Sequence, residues 1–162
     1  MPKFMLIMRA SPRTDSGTPP SSALIDQMMG FYTDLKNTGV IVSADGFLPS
    51  SVDSFRLTFP ATAEGEIRES KGPFPANEIF SGFWIIKAKD VDEALEWARK
   101  CPLGGRSVDP EAGEAVLEIR RIADIEDFGE EMTAEQREKH GCLTKEEESR
   151  KQGLAKSSAP DE

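Results

Sequence analysis

Phe4-Met5-Leu6-Ile7-Met8 and Gly82-Phe83-Trp84-Ile85-Ile86 are unbroken apolar runs in a chain of 162 residues. Each is too short for a buried helix, and each reads as a strand buried on both faces. Between the runs, Ala23–Asn37 carries Leu24, Ile25, Met28, Phe31, Tyr32 and Leu35 at helical spacing, with Gly39 placed to end the helix. Val40–Ala44 is short and β-branched and predicts a second strand. Ser54–Phe59 alternates apolar and polar residues. It pairs with a weaker strand, Glu66–Ser70, through Ala63-Glu64-Gly65 as a hairpin insert.

After the second apolar run, Asp90 with Glu93 forms a helix start, and Val91, Ala94, Leu95, Ala98 and Cys101 make the inner stripe. Pro102 stops this helix, Leu103–Gly113 is a loop, and Ala115–Arg121 is a last strand. The order is strand–helix–strand, hairpin, strand–helix–strand. Right-handed crossovers then give an α+β, ferredoxin-like βαββαβ antiparallel sheet with both helices on one face. Two helices leave the other face bare, although both central runs are apolar on that face too. A large bare apolar face calls for a cover. A second copy of the chain, packed sheet to sheet, is the simplest one, and a folded-back C-terminal tail is the alternative.

The charge is uneven. The chain carries 20 Lys and Arg against 29 Asp and Glu, a net charge of −9. Residues 126–162 hold 11 of the acidic and 6 of the basic side chains, with few large apolar residues. The expected organisation is a domain over 1–125, a short docked helical segment over 126–143, and a disordered tail over 144–162. Thr133 with Gln136 is a capping box that starts the helix of that segment. The acidic balance argues against binding a nucleic-acid backbone. No run approaches a membrane span. Two cysteines make no disulfide framework, and a reducing cytoplasmic setting is expected. A lone histidine, His140, with Cys142 supplies at most two metal ligands, so no metal and no cofactor is expected.

Lys71-Gly72-Pro73-Phe74, Glu78, Gly82–Ile86, Ala94-Leu95-Glu96-Trp97-Ala98 and Cys101-Pro102, in that order, resemble the YCII-related family, and within it the DGPF-motif branch. Lys3–Arg9, Thr38-Gly39-Val40, Ser43-Ala44-Asp45-Gly46 and Glu126–Glu131 fit the same pattern over about residues 1–140. The resemblance implies a dimeric α/β barrel with a pocket partly closed by the Gly-Pro-Phe loop. Some relatives are proposed to use a His–Asp pair in acid–base chemistry, and the DGPF branch is loosely linked to transcription initiation. The chain departs from the pattern in three places. Lys71 stands where the motif has Asp. Pro75-Ala76-Asn77 is about one residue short and lacks a common Lys. The His and Asp of the pair fall near Met28 and Asn37.

Six residues are candidates for a site. Gly72, Pro73 and Phe74 either present a ring and backbone N–H groups to a ligand or form a structural turn. Asp45 either puts a carboxylate at a pocket mouth or belongs to an Asp-Gly turn. Arg9 either clamps an anionic ligand or pairs with a carboxylate such as Glu78 or Asp45. Glu78, beside Ile79 and Phe80, serves as an acid or base if buried. Trp84 and Trp97 read as core, and Cys101 as an inert core thiol. The expected function is binding of a small organic ligand in the barrel pocket, anionic where Arg9 clamps it, with cofactor-free acid–base chemistry resting on Asp45 and Glu78. The alternative is a non-catalytic adaptor or regulator acting through the acidic C-terminal segment.

Overall fold

The computed structural model describes residues 1–111 and 113–142. It separates into two compact units, Met1–Ile122 and Ala123–Glu162. The expected tail over 144–162 lies outside the described residues.

In the first unit, β1 (Lys3–Arg9), β2 (Ile41–Gly46), β5 (Phe80–Lys87) and β6 (Leu117–Arg121) form one sheet in the order β2-β5-β1-β6. Every neighbouring pair is antiparallel. Two helices, α1 (Ser22–Asn37) and α2 (Val91–Ala98), occupy the two crossovers. This α+β arrangement is compatible with a ferredoxin-like fold. The hairpin insert forms a separate two-stranded ribbon, β3 (Phe55–Thr58) with β4 (Arg68–Lys71). Its connecting loop spans 59–67, longer than the tight Ala63-Glu64-Gly65 turn read from the sequence.

The helices form where their sequences direct. Ser21 caps α1, its hydroxyl accepting from Leu24 N–H, and Gly39 takes φ +71° just beyond the helix end. Asp90 caps α2 by accepting from Glu93 N–H, and the Glu93 carboxylate accepts from Lys89 N–H at 2.6 Å. Both helices pack on one sheet face. Phe4 and Leu6 of β1 and Trp84 and Ile86 of β5 bury there against Phe31, Leu35, Ala94 and Cys101. Phe31 meets Trp84 edge-on, with ring centroids 5.6 Å apart.

The pleat sends the alternate residues the other way. Met5 pairs with Ile85 and Ile7 with Phe83 in adjacent rows of β1 and β5. All four are half-buried, and neither helix packs on their face.

In the second unit, a 3-10 segment, Ile125–Glu131, opens on a capping box between Asp124 and Asp127. Helical backbone follows over 134–142. Thr133 and Gln136 start it reciprocally: Gln136 accepts from Thr133 N–H at 2.8 Å, and Thr133 accepts from Gln136 N–H at 3.2 Å. Arg137 donates to the Ile125 and Gly129 carbonyls and ties the unit together.

Candidate functional site

The helix-facing side of the sheet runs out of side chains at one end. Leu117 pairs with Met8, Met8 with Gly82, and Gly82 with Gly46. Two glycines side by side leave the space beneath the first turns of α1 unfilled. The approach there is close, since a Cβ on Gly82 would lie 3.0 Å from the Asp45 carbonyl oxygen. The result is a cavity of about 550 Å³. Such a volume is within the range of small-molecule sites.

Its walls are largely apolar. Leu24, Ile25, Met28 and Met29 descend from α1, Met8 and Trp84 come from the sheet, and Pro102, Leu103 and Val116 come from the segment before β6. The segment 10–20 completes the wall with Pro19, Pro20, Arg13 and Thr14.

Polar contacts hold the loops around this space. Arg13 donates from Nε and Nη2 to Asp109 Oδ2, at 3.0 and 2.8 Å, and from Nη1 to Glu111 at 2.6 Å. This fork joins the loop after β1 to the loop before β6. The Glu111 backbone N–H and the Arg13 guanidinium hold the Asp109 carboxyl below the usual carboxylate range. Hydrogen bonding to Asp109 in turn raises Arg13. Gln27 of α1 clamps the same loop, donating to the Arg106 carbonyl and accepting from Val108 N–H, both at 2.8 Å.

A second knot sits at Ser50, which is buried. Its N–H and hydroxyl donate to the two Asp15 carboxylate oxygens at 2.5 and 2.7 Å. Its hydroxyl oxygen accepts from Phe74 N–H at 3.0 Å. Ser50 therefore fastens the loop after β1 to the Gly-Pro-Phe turn.

The six candidate residues divide. Arg9 and Asp45 line the cavity. Asp45 lies within β2 rather than in a turn; it pairs with Phe83, so its exposed side chain alternates to the sheet face away from the helices, and no described residue hydrogen-bonds or ion-pairs with that side chain. The Arg9 guanidinium donates to the Asn77 carbonyl and pairs with Glu118 at 3.5 Å, not with Glu78 or Asp45. Glu78 does not line the cavity. It is nearly half exposed and pairs with Arg56 at 2.6 Å. Gly72, Pro73 and Phe74 are also absent from the lining. Gly72 donates to the Ser54 carbonyl, and the Arg56 guanidinium lies 4.4 Å from the centre of the Phe74 ring. A Cβ on Gly72 would fall 1.8 Å from the Ser50 carbonyl oxygen, so only glycine fits there.

Other sequence readings can be placed too. Met28, which the resemblance sets near the histidine of the expected His–Asp pair, lines the cavity, and Asn37 does not. Trp84 belongs to the core and to the cavity wall, while Trp97 packs against the core under Lys100. Burial pushes the Cys101 thiol up to about 12. Among the described residues, no three His, Cys, Asp or Glu side chains are grouped to hold a metal ion, and no helix is long and apolar enough to cross a membrane. The residues that sequence reasoning missed are Asp15, Arg13, Ser50 and Asp109. They lie in loops and find their partners 24 to 98 residues away. The one local signal was Gly82, a glycine leading an otherwise bulky strand.

An antiparallel sheet carrying two helices on one face, with an apolar cavity at its side-chain-poor end, is the class of domain that this geometry defines. The family model of the YCII-related domain matches residues 3–126, and the chain belongs to that family. No curated protein matches the chain.

Proposed function

We propose that this YCII-related protein binds a small, largely apolar organic molecule in the cavity beneath α1. The observation that carries this reading is the space itself. About 550 Å³ stands open beside the Gly46–Gly82 pair, walled by methionine, leucine and aromatic side chains and ringed by a few polar groups. Methionine walls adapt to ligands of different outline. Binding is better supported than acid–base chemistry by an Asp45–Glu78 pair, because Glu78 is engaged by Arg56 away from the cavity.

The same reading makes the protein a homodimer. Met5, Ile7, Phe83 and Ile85 form a continuous apolar patch on the sheet face opposite the helices, and a sheet-to-sheet contact would bury it. Free Cys101 and Cys142 fit a reducing, cytoplasmic setting. The Gly72-Pro73-Phe74 turn favours a place in the DGPF-motif branch.

Titration with Nile red, a neutral apolar dye, tests the binding reading. Wild-type protein should bind one dye per chain saturably, and Met28→Trp, which fills the cavity, should abolish that binding while keeping a cooperative melt. Equal dye binding by the folded Met28→Trp protein would refute the assignment to this cavity.

A further inference from the structure

Building on the cavity reading above, we infer that residues 11–18 form the gate of the cavity, latched through Arg13 and Asp15, and that a ligand enters and leaves past this segment.

The ends of the secondary structure leave this side of the cavity to loops. Here β1 stops at Arg9, β2 stops at Gly46 and β6 begins only at Leu117, while α1 starts only at Ser22. Beyond those limits, connecting segments form the wall. Ser11, Thr14 and Thr18 come from the segment between β1 and α1, and Leu103 and Ser107 come from the loop before β6. The second loop stands on the helix side of the sheet, because Gln27 of α1 holds it at Arg106 and Val108.

The segment between β1 and α1 is built as one body. Ser11 N–H donates to Thr14 Oγ1 at 2.8 Å, and Asp15 N–H donates to the Ser11 carbonyl at 3.1 Å. The Ser16 hydroxyl bonds the Arg13 carbonyl at 2.7 Å and Thr18 Oγ1 at 3.0 Å. These bonds close within the segment. None of residues 10–20 belongs to the hydrophobic core or packs against it, so apolar burial does little to hold this body in place.

Two polar ties hold it instead. Arg13 reaches Asp109 and Glu111 with its three-bond fork and so spans from one wall loop to the other. Arg13 and Glu111 are exposed, so water and salt weaken this tie. Asp15 accepts from the N–H and hydroxyl of Ser50, and Ser50 accepts from Phe74 N–H. The Gly-Pro-Phe turn lines no part of the cavity, yet it bears on the gate through this one hydroxyl. Beyond the two ties, hydrogen bonds join residues 10–20 to the rest of the described chain only at the base, where Ala10 N–H donates to the Ile79 carbonyl at 3.2 Å. Opening both ties therefore frees the body to swing away from the cavity without disturbing sheet or helix.

Stopped-flow mixing of the full chain with Nile red tests the gate, since the concentration dependence of the observed rate gives entry and exit rate constants separately. A dye that passes only through an open gate enters and leaves in proportion to the fraction open, so weakening a tie raises both constants together. Nile red is neutral, and salt therefore acts on the latch rather than on the dye. Raising NaCl from about 0.05 M to about 0.5 M should raise both constants about threefold in wild type, the scale of an exposed ion pair. Arg13→Gln should exchange faster at low salt and respond little to added salt. Ser50→Ala removes a side chain that does not line the cavity, and it should raise both constants about fivefold, with a thermal melt verifying that it is folded. The salt series on wild type and Arg13→Gln decides the matter even if Ser50→Ala does not fold. Rate constants that ignore salt and are equal in the variants and wild type would overturn the gate and leave the cavity reading standing. A rise in the exit constant alone, the mark of a lost wall contact, would overturn it too. Wild-type protein that binds no dye would remove the cavity reading and the gate with it.

Discussion

Replacing Ser50 by alanine should cost roughly 2–3 kcal/mol, although the change deletes a single oxygen. Ser50 is 5% exposed and sits among three segments. Its hydroxyl donates to Asp15 Oδ2 at 2.7 Å and accepts from Phe74 N–H at 3.0 Å. A hydrogen bond to a charged group contributes ~1.5–3 kcal/mol, and a buried donor left without a partner costs ~1–3 kcal/mol. Asp15 keeps the Ser50 N–H at 2.5 Å and stays partly in contact with solvent, so the cost falls at the bottom of the summed range, roughly 2–3 kcal/mol. For a chain of this size the loss corresponds to a fall in Tm of roughly 4–12 °C. Thermal melts followed by circular dichroism read it directly. Ser70 serves as the control: its hydroxyl is exposed and only 3.4 Å from the Arg56 carbonyl, so Ser70→Ala should stay within about 0.5 kcal/mol of wild type. In a double-mutant cycle, Asp15→Ala and Ser50→Ala should be strongly non-additive, because each removes the same bond. Additive effects, or a Ser50→Ala melt indistinguishable from that of Ser70→Ala, would refute the account of Ser50 as the fastener of these loops.

Three further outcomes follow from the same structure. Gly72→Ala should lower Tm at least as far as Ser50→Ala, because its new Cβ would lie 1.8 Å from the Ser50 carbonyl oxygen, and that backbone must move; an unchanged melt would contradict the close approach. Ellman's reagent should label one thiol per native chain, exposed Cys142, and two after denaturation, because Cys101 is buried and its thiol is pushed up to about 12; rapid labelling of both in the native protein would count against the placement of Cys101. The Asp109 carboxyl is held below its usual range in the folded chain, so its contribution to stability is present above the unfolded carboxylate pKa and is lost as pH falls through the depressed folded value. Urea melts of wild type and Asp109→Asn should therefore differ at neutral pH and converge in acid, and a gap that widened in acid would reverse the sign of the argument.

Local chemistry made much of the fold legible. Phe4–Met8 and Gly82–Ile86 mark the two central strands because their neighbours on both faces are apolar. Gly39, Asp90 and Thr133 mark helix ends because capping is satisfied within a few residues of chain. Strand limits moved by one or two residues, outward where polar ends such as Lys3, Arg9 and Lys87 join the ladder through backbone bonds alone. The site was less legible. Asp45 was found because it directly follows a β-branched strand. Glu78 drew notice for its apolar neighbours and Phe74 for the Gly-Pro turn that carries it, yet Arg56 from the hairpin claims both, one by an ion pair and one through its ring. Arg13 meeting Asp109, and Asp15 meeting Ser50, depend on loop paths that no periodicity encodes. The cavity itself arises from a cross-strand pairing, Gly46 with Gly82, that exists only once the register of β2 on β5 is set.

Native mass spectrometry of the full chain incubated with excess Nile red tests the central claim most directly. The account predicts a species of twice the 17.8 kDa chain mass carrying one dye per chain, with the dye lost from Met28→Trp. A bare 17.8 kDa monomer, or dye retained equally by folded Met28→Trp, would contradict it.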